Sequence, residues 1–283
     1  MKMQWLSGGS GYDEDSDRYG RWRRNCPVIV QVAGRAGYRL TLVDIDEASL
    51  ATAAAGLPVS TQTITKDLST AEGAAAVEDE ILSRPELDLL VNNAGIIRPG
   101  NIVDLPFAEM ERHIAINLLA PMRLTKAAAS VMAKRSAGTI LSIVSAAGLV
   151  ALPGSAAYSA SKFGLRGFLT AASLELEPRG VKVRGVFPGA VDTPMLRFEA
   201  THGGSALNFL NKDVLSAVDV ANACLRAIDG KKLETHLPFS DSVTARLVCA
   251  APGLLPHLIP IFQKQGEKGL KRFLQSRGLE VQS

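Results

Sequence analysis

The sequence predicts an α/β fold in which helices cover both faces of a parallel sheet. Two patterns carry that expectation. Short runs that are apolar almost throughout, such as Leu40-Thr-Leu-Val43, Leu87–Val91 and Thr139–Val144, alternate with longer helix-like segments. Runs of that kind suit strands buried on both sides, as parallel strands are. A third observation fixes the scale: 283 residues, 47% hydrophobic and 21% charged, suffice for one large core.

The elements follow in chain order. Residues 1–25 are rich in Gly, Asp, Ser and Arg. An acidic cluster (Asp13-Glu14-Asp15, Asp17) precedes a basic one (Arg21, Arg23, Arg24), and a disordered tail is expected. A single domain is expected over residues 26–283, with a helical extension at its C-terminal end. Tyr38–Val43 reads as a strand and Glu47–Ala55 as a helix; Thr61–Thr65 and Ala71–Ser83 repeat the pair. Leu87–Val91 reads as a strand running into Asn92-Asn93-Ala94-Gly95. Phe107–Lys134 is a long helical stretch that Pro121 should bend, because proline has no N–H for the helical ladder. Thr139–Val144 is a strand, Ala156–Leu176 a helix, and Val181–Phe187 a strand that ends at Pro188-Gly189. A helix over Leu215–Ile228 and a strand near Thr235–Leu237 follow. Two helical stretches, separated by the Pro252-Gly253 and Pro256 region, close the chain.

Composition excludes several classes. A net charge of +3 is too small a bias to argue for nucleic acid. Cys26, Cys224 and Cys249 form no CxxC and no ligand cluster with the four histidines, so no metal is expected. A reduced, cytoplasmic setting is the expectation. No apolar run reaches the length of a membrane span, and the first residues lack the apolar segment of a signal peptide.

The chemistry concentrates in Tyr158-Ser-Ala-Ser-Lys162. Residues four apart on a helix share a face, so the phenol and the ammonium are neighbours. Ser145, thirteen residues upstream, closes the strand Thr139–Val144. A phenol, an ammonium and a hydroxyl can thus meet at one strand end, as a proton-transfer site beside an alcohol or carbonyl would require. A nearby cation favours phenolate, so Lys162 is expected to lower the pKa of Tyr158 and fit it for general acid–base work.

Asn92-Asn93-Ala94-Gly95, Asn117, Ser145, Tyr158-x-x-x-Lys162 and Pro188-Gly189-x-x-x-Thr193 stand in the order and at the spacings of the short-chain dehydrogenase/reductase family. The chain resembles that family over roughly Gly37 to Leu237. The resemblance implies a Rossmann-like doubly wound sheet and a hydride-transfer reaction on a nicotinamide cofactor. It makes Tyr158 the acid/base. Lys162 is its partner and holds the ribose, Ser145 orients the substrate oxygen, and Asn117 supports the proton path. It places Asp67 and Leu68 at the adenine, with Asn93, Ala94 and Gly95 where the backbone approaches the cofactor. Pro188, Gly189, Val191 and Thr193 embrace the nicotinamide. Asp44, at the end of its strand, can accept from an adenosine ribose and would repel a 2′-phosphate, so NAD is expected over NADP; Asp46 is the competing carboxylate.

One family feature has no clear match. The family opens with a strand, a turn with three spaced glycines, and a helix whose N-terminus holds the pyrophosphate. Val28–Val32 lies only six residues before Arg39, too close for a parallel crossover. Ser7-Gly-Gly-Ser-Gly11, behind a stub of strand at Gln4–Leu6, is followed by Tyr12-Asp13-Glu14-Asp15, whose carboxylates would repel a pyrophosphate. The first strand and glycine-rich turn are therefore expected to be missing or replaced. A frameshift, a misplaced start or an altered exon over residues 1–36 would account for it.

The expected function is interconversion of a hydrophobic secondary alcohol and its ketone. Leu149–Ala157 carries no charge and Pro194–Asp213 carries few, which argues for an apolar substrate. The alternative is a protein on the same fold that has lost turnover and serves as a binding or scaffold protein. A homo-oligomer is expected. Leu254–Phe262, followed by Lys264, Lys268, Lys271 and Arg272, is apolar and then basic. That pattern suits a helix packed on the domain or on a second subunit better than one at a membrane surface.

Overall fold

The computed structural model describes residues 2–6, 39–57, 59–211, 213–239, 253 and 255–281, and of residues 2–6 the backbone alone. Seven strands form one sheet, parallel at every pairing: β1 (Lys2–Leu6), β2 (Arg39–Asp44), β3 (Thr61–Thr65), β4 (Leu87–Asn92), β5 (Gly138–Ile143), β6 (Val181–Pro188) and β7 (Glu234–Leu237). Their order is β3-β2-β1-β4-β5-β6-β7, a doubly wound Rossmann-like sheet. The helices are α1 (Glu47–Ala55), α2 (Ala71–Leu82), α3 (Phe107–Ile114), α4 (Ala120–Met132), α5 (Ala156–Leu176), α6 (Pro194–Thr201), α7 (Ala217–Asp229) and α8 (Leu255–Arg277).

The middle of the sheet is filled, which corrects the expected vacancy and the expected disorder of the first residues. β1 lies between β2 and β4, pairing Lys2 with Arg39 on one side and Leu6 with Asn92 on the other. Lys-Met-Gln-Trp-Leu mixes polar and apolar residues and reads weakly as a strand in isolation. Its place is set by two neighbouring strands that would otherwise leave their backbone groups unpaired. Ser7–Gly11 and Val28–Val32 lie outside the described residues.

Alternation along the strands divides the core into two faces. Val43, Leu90 and Ile140 pack with Val77 and Ile81 of α2 and with Leu124, Ala128 and Met132 of α4. Leu40, Leu42, Leu89, Val91 and Leu141 pack on the other face with Leu50 of α1 and Val220, Ala223 and Cys224 of α7. A third cluster seats α5 through Leu165 and Leu169 on Val183 and Phe187 of β6.

The expected single helix over Phe107–Lys134 is interrupted. Between α3 and α4 a π-helical turn spans Ala115–Leu119, with Ala120 N–H donating to the Ala115 carbonyl. Pro121, near the start of α4, explains it, because it has no N–H to give to the carbonyl four residues back, that of Asn117. At the other end of the chain, α8 runs unbroken from Leu255 through Pro256 and Pro260 to Arg277, as the second of the two expected stretches; residues 240–252, where the first was expected, lie outside the described residues. Among the described residues no helix is long and apolar enough to cross a membrane.

The order of strands reverses between β1 and β4, and such a reversal opens a crevice at the C-terminal edge of a sheet. Every expected site residue lies on or just beyond that edge or on the helices beside it. Gln4→Pro, which removes a backbone donor from the middle of the central strand, should destabilise the chain by about 3 kcal/mol or more. Gln4→Ala should melt close to the parent. Equal thermal midpoints for Gln4→Pro and the parent would mean that β1 does not hold the centre of the sheet.

Candidate active site

The site assembles around the first turns of α5. Tyr158 is half-buried, and Lys162, one turn further on, is 4% exposed. The Lys162 ammonium donates to the carbonyl of Ile143, the last residue of β5, at 3.2 Å, and its Nζ lies 5.7 Å from the centroid of the Tyr158 ring. Ser145 lies two residues beyond β5 in extended backbone. Its hydroxyl oxygen accepts from Ala147 N–H at 3.0 Å, and Ser145 also hydrogen-bonds the Tyr158 hydroxyl. The three groups read from the sequence do meet.

Asn117 lies within the π-helical turn and is fully buried, so it is no solvent-facing asparagine. Its side chain clasps the backbone of Ile96: Oδ1 accepts from Ile96 N–H at 2.8 Å and Nδ2 donates to the Ile96 carbonyl at 3.0 Å. Nδ2 also donates to Ser161 Oγ at 3.1 Å, and Ser161 donates onward to the Tyr158 carbonyl at 2.6 Å. Asn117 thus braces the loop after β4 against the helix that carries Tyr158. A Cβ added to Gly95 would stand 3.4 Å from Asn117 Oδ1 and 3.6 Å from Lys162 Nζ, so the glycine faces both of these side chains.

The remaining expected positions surround this centre. Asn93 and Ala94 follow β4 directly, beside Gly95. Asp44 ends β2, and its Oδ1 accepts from Asp46 N–H at 3.1 Å. Asp46 is the N-cap of α1, accepting from Ser49 N–H, which settles that carboxylate in a structural role. Asp67 holds a turn by accepting from Ser69 N–H at 2.8 Å, while the Leu68 side chain is buried in the core beside Ala94. Pro188 ends β6, and Gly189 N–H donates to the Leu237 carbonyl at 2.7 Å. Val191 bridges to Leu215. Thr193 caps α6, its hydroxyl oxygen accepting from Leu196 N–H at 3.1 Å.

Electrostatics depart from expectation in one respect. Lys162 does not bring Tyr158 below its ordinary pKa. Burial of the hydroxyl pushes it well above that value, the Ser145 hydrogen bond opposes this, and the charge of Glu199 adds to it. Burial also pulls Lys162 down, to about 8. Near neutral pH the pair is therefore a protonated phenol beside an ammonium. Desolvation outweighs the attraction that the four-residue spacing suggested.

Three contributors were not legible as site residues. Ser161 links Asn117 to Tyr158 and lies inside the motif, three residues after the tyrosine. His113, one turn before Asn117, is fully buried with its ring edge-on to Tyr158 at 6.4 Å. Its Nε2 accepts from Arg98 N–H at 2.9 Å while Nδ1 faces the Glu109 carbonyl at 2.6 Å, and burial lowers its pKa. Glu199 of α6 is 7% exposed, accepts from Asn208 Nδ2 at 3.2 Å, and is pushed by burial up to about 8. The spacing of His113 before Asn117 was a usable signal. Nothing in the sequence marks Glu199 as buried.

Comparison with known proteins agrees with the fold and with the family that the motifs resemble. The family model described as short chain dehydrogenase matches residues 28–202. Dehydrogenase/reductase SDR family member 7B of Mus musculus is 31% identical over 240 residues, 82% of this chain and 74% of that one. Trans-4-hydroxycyclohexanecarboxylate dehydrogenase of Sinomonas cyclohexanicum is 42% identical over a shorter stretch of 109 residues, 38% of this chain and 42% of the other. Among solved structures, a short-chain dehydrogenase from Sphingobium yanoikuyae in complex with NADPH superposes with a TM-score of 0.72 at 25% identity, covering 89% of this chain and 95% of that one.

Glu199 makes a pH prediction. Folded, it keeps its proton up to about pH 8; unfolded, it releases it near its ordinary 4.5. Its contribution to stability is fully present below 4.5 and is lost as pH rises through 8. The thermal midpoint of the parent should fall between about pH 5 and about pH 8, and that of Glu199→Gln should fall less. Parallel profiles for the two proteins would show that the carboxyl is not held protonated.

Proposed function

We propose that this chain, which belongs to the short-chain dehydrogenase family, interconverts a hydrophobic secondary alcohol and its ketone with a nicotinamide dinucleotide. The observation that carries the proposal is the meeting of the Tyr158 hydroxyl with Ser145 at the end of β5, with Lys162 one turn behind. The described residues suit the nicotinamide-ribose part of such a cofactor. Gly95 presents no side chain towards Lys162. The Lys162 ammonium has three protons, and Ile143 takes one. The Thr193 hydroxyl accepts from Leu196 N–H and keeps its own proton to donate. When bound, the nicotinamide supplies or takes up the hydride.

The protein's own part is positioning and proton movement. A phenol held protonated at neutral pH can give its proton to a carbonyl oxygen in reduction and take it back from an alcohol in oxidation. Ser145 shares its hydrogen bonding between Ala147 and Tyr158, and so stands where a substrate oxygen would be aligned with the phenol. Lys162 places a positive charge beside the ring and favours the phenolate left after proton donation. Leu149–Ala157 carries no charged residue, in keeping with an apolar substrate.

Preference for NAD rests on Asp44, which ends β2, whereas Asp46 caps α1. A similar fold has been solved with NADPH, so the architecture itself does not exclude the 2′-phosphate and the preference would belong to the Asp44 side chain. A second reading is a protein that binds partners without turnover. The carboxylates Asp13, Glu14 and Asp15, placed after the glycine cluster that follows β1, favour it. Titration of the intact chain with NADH, followed by fluorescence, separates the two.

Tyr158→Phe should lower turnover of any accepted alcohol or ketone by at least about a hundredfold, with a melt close to the parent's. A loss of only a few-fold would remove Tyr158 from the mechanism. Asp44→Ala should move the ratio of kcat/KM for NADP over NAD upwards, by about tenfold, the equivalent of about 1.4 kcal/mol. An unchanged ratio would place the choice of cofactor elsewhere.

A further inference from the structure

The loop between β6 and α6 is held from three sides. Asp192 N–H donates to the Leu215 carbonyl at 2.8 Å and Leu215 N–H returns a bond to Ala190 at 2.9 Å. Within the segment itself, Arg197 Nε donates to Asp192 Oδ1 at 2.9 Å. The third tie comes from far along the chain. Arg277, the last residue of α8, donates to Asp192 Oδ2 from Nε at 3.1 Å and from Nη2 at 2.7 Å. Asp192 is the residue immediately before Thr193. Both of its carboxylate oxygens are therefore engaged by guanidinium groups, one local and one from the C-terminal helix.

α8 is built to deliver that arginine. Its helical face at Gly266 and Gly269 lies flush against residues 206–209. A Cβ at Gly266 would collide with the Ala206 carbonyl, and one at Gly269 with the Phe209 carbonyl. Phe273 packs on Phe209 with ring centroids 5.0 Å apart, and Arg277 lies over the Phe273 ring at 5.5 Å. Leu196, Ala200, Phe209, Phe273 and Leu274 form one buried cluster. The segment that begins at Thr193 and carries Glu199 is thus clamped by a helix that, among the described residues, shares no hydrogen bond with Tyr158, Lys162 or Ser145.

From this geometry we infer that Arg277 is a positioning residue: through Asp192 it fixes the Pro188–Thr193 loop in the shape in which Thr193 can meet a nicotinamide cofactor. The inference rests on the proposed function for its catalytic consequence, but the latch itself is a property of the chain alone. A guanidinium gripping one carboxylate through two donors is directional, and a lysine cannot reproduce it. Arg277 is 38% and Asp192 20% exposed in their side chains, so the pair is partly screened and its effect is modest.

Two measurements on the full chain test it. Hydrogen exchange without any ligand should show the amides of Asp192, Leu196 and Leu215 exchanging about fivefold faster in Arg277→Met, with amides of β4 and β5 unchanged. In steady-state kinetics with NADH or NADPH, the KM for the cofactor should rise about fivefold while kcat stays within about twofold. Arg277→Lys should fall between Met and the parent. In an Asp192→Asn background the Arg277→Met effect should largely vanish. Unchanged exchange at the three amides, or an undiminished effect in the Asp192→Asn background, would overturn the inference. If the parent binds neither NADH nor NADPH, the proposed function fails, while the exchange data still decide whether the latch exists.

Discussion

An ammonium buried at the end of a β-strand is the constraint on which the site depends. Lys162 is all but inaccessible, and burial draws its pKa down to about 8. Such a group stays charged near neutral pH only where the protein supplies acceptors, because an unpaired buried charge is very costly. The carbonyl of Ile143 is one, at the end of β5 and one residue past the point where the register with β4 stops at Ser142. The same strand end carries Ser145. The requirement to keep the lysine hydrated by protein oxygens and the requirement to present a hydroxyl to the phenol are therefore met by one short run of backbone.

Asn117 shows how a helix irregularity serves the same end. An asparagine in a regular helix competes with its own backbone and is disfavoured there. Here the side chain gives its oxygen and both its partners on Nδ2 to a loop and a neighbouring helix. Pro121 breaks the ordinary ladder at the Asn117 carbonyl, and a π-helical turn absorbs the misfit. A residue that would weaken a helix becomes the tie between the loop after β4 and the catalytic helix.

Much of this was legible in the sequence, and the reasons for the rest are specific. Helices α1 and α5 and strand β3 have the bounds that periodicity gave, because each is a local pattern with clear ends. The four residues proposed for catalysis came from spacing along single elements and from the order of motifs. β1 was undervalued because five mixed residues carry little local signal; two flanking strands that need partners carry all of it. The state of Tyr158 was misjudged because spacing reveals a charge nearby but not how deeply the hydroxyl lies. Glu199 was missed for the same reason, since burial of a single carboxyl depends on α6 and residues 206–209 closing together. Arg277 and Asp192 are 85 positions apart, and no local pattern links them.

The position of β1 bears on how the molecule comes together in time. Its five residues leave the ribosome before either strand they pair with, and their partners begin at Arg39 and Leu87. The centre of the sheet is therefore closed by its least local contacts, and contacts of that range slow folding. Until β4 arrives, β1 presents an open edge, the kind of surface that recruits other chains. For this protein the hazardous interval is the synthesis of the stretch from β1 to β4. Conditions that lengthen it should tell more on the yield of folded protein than on the stability of what has folded.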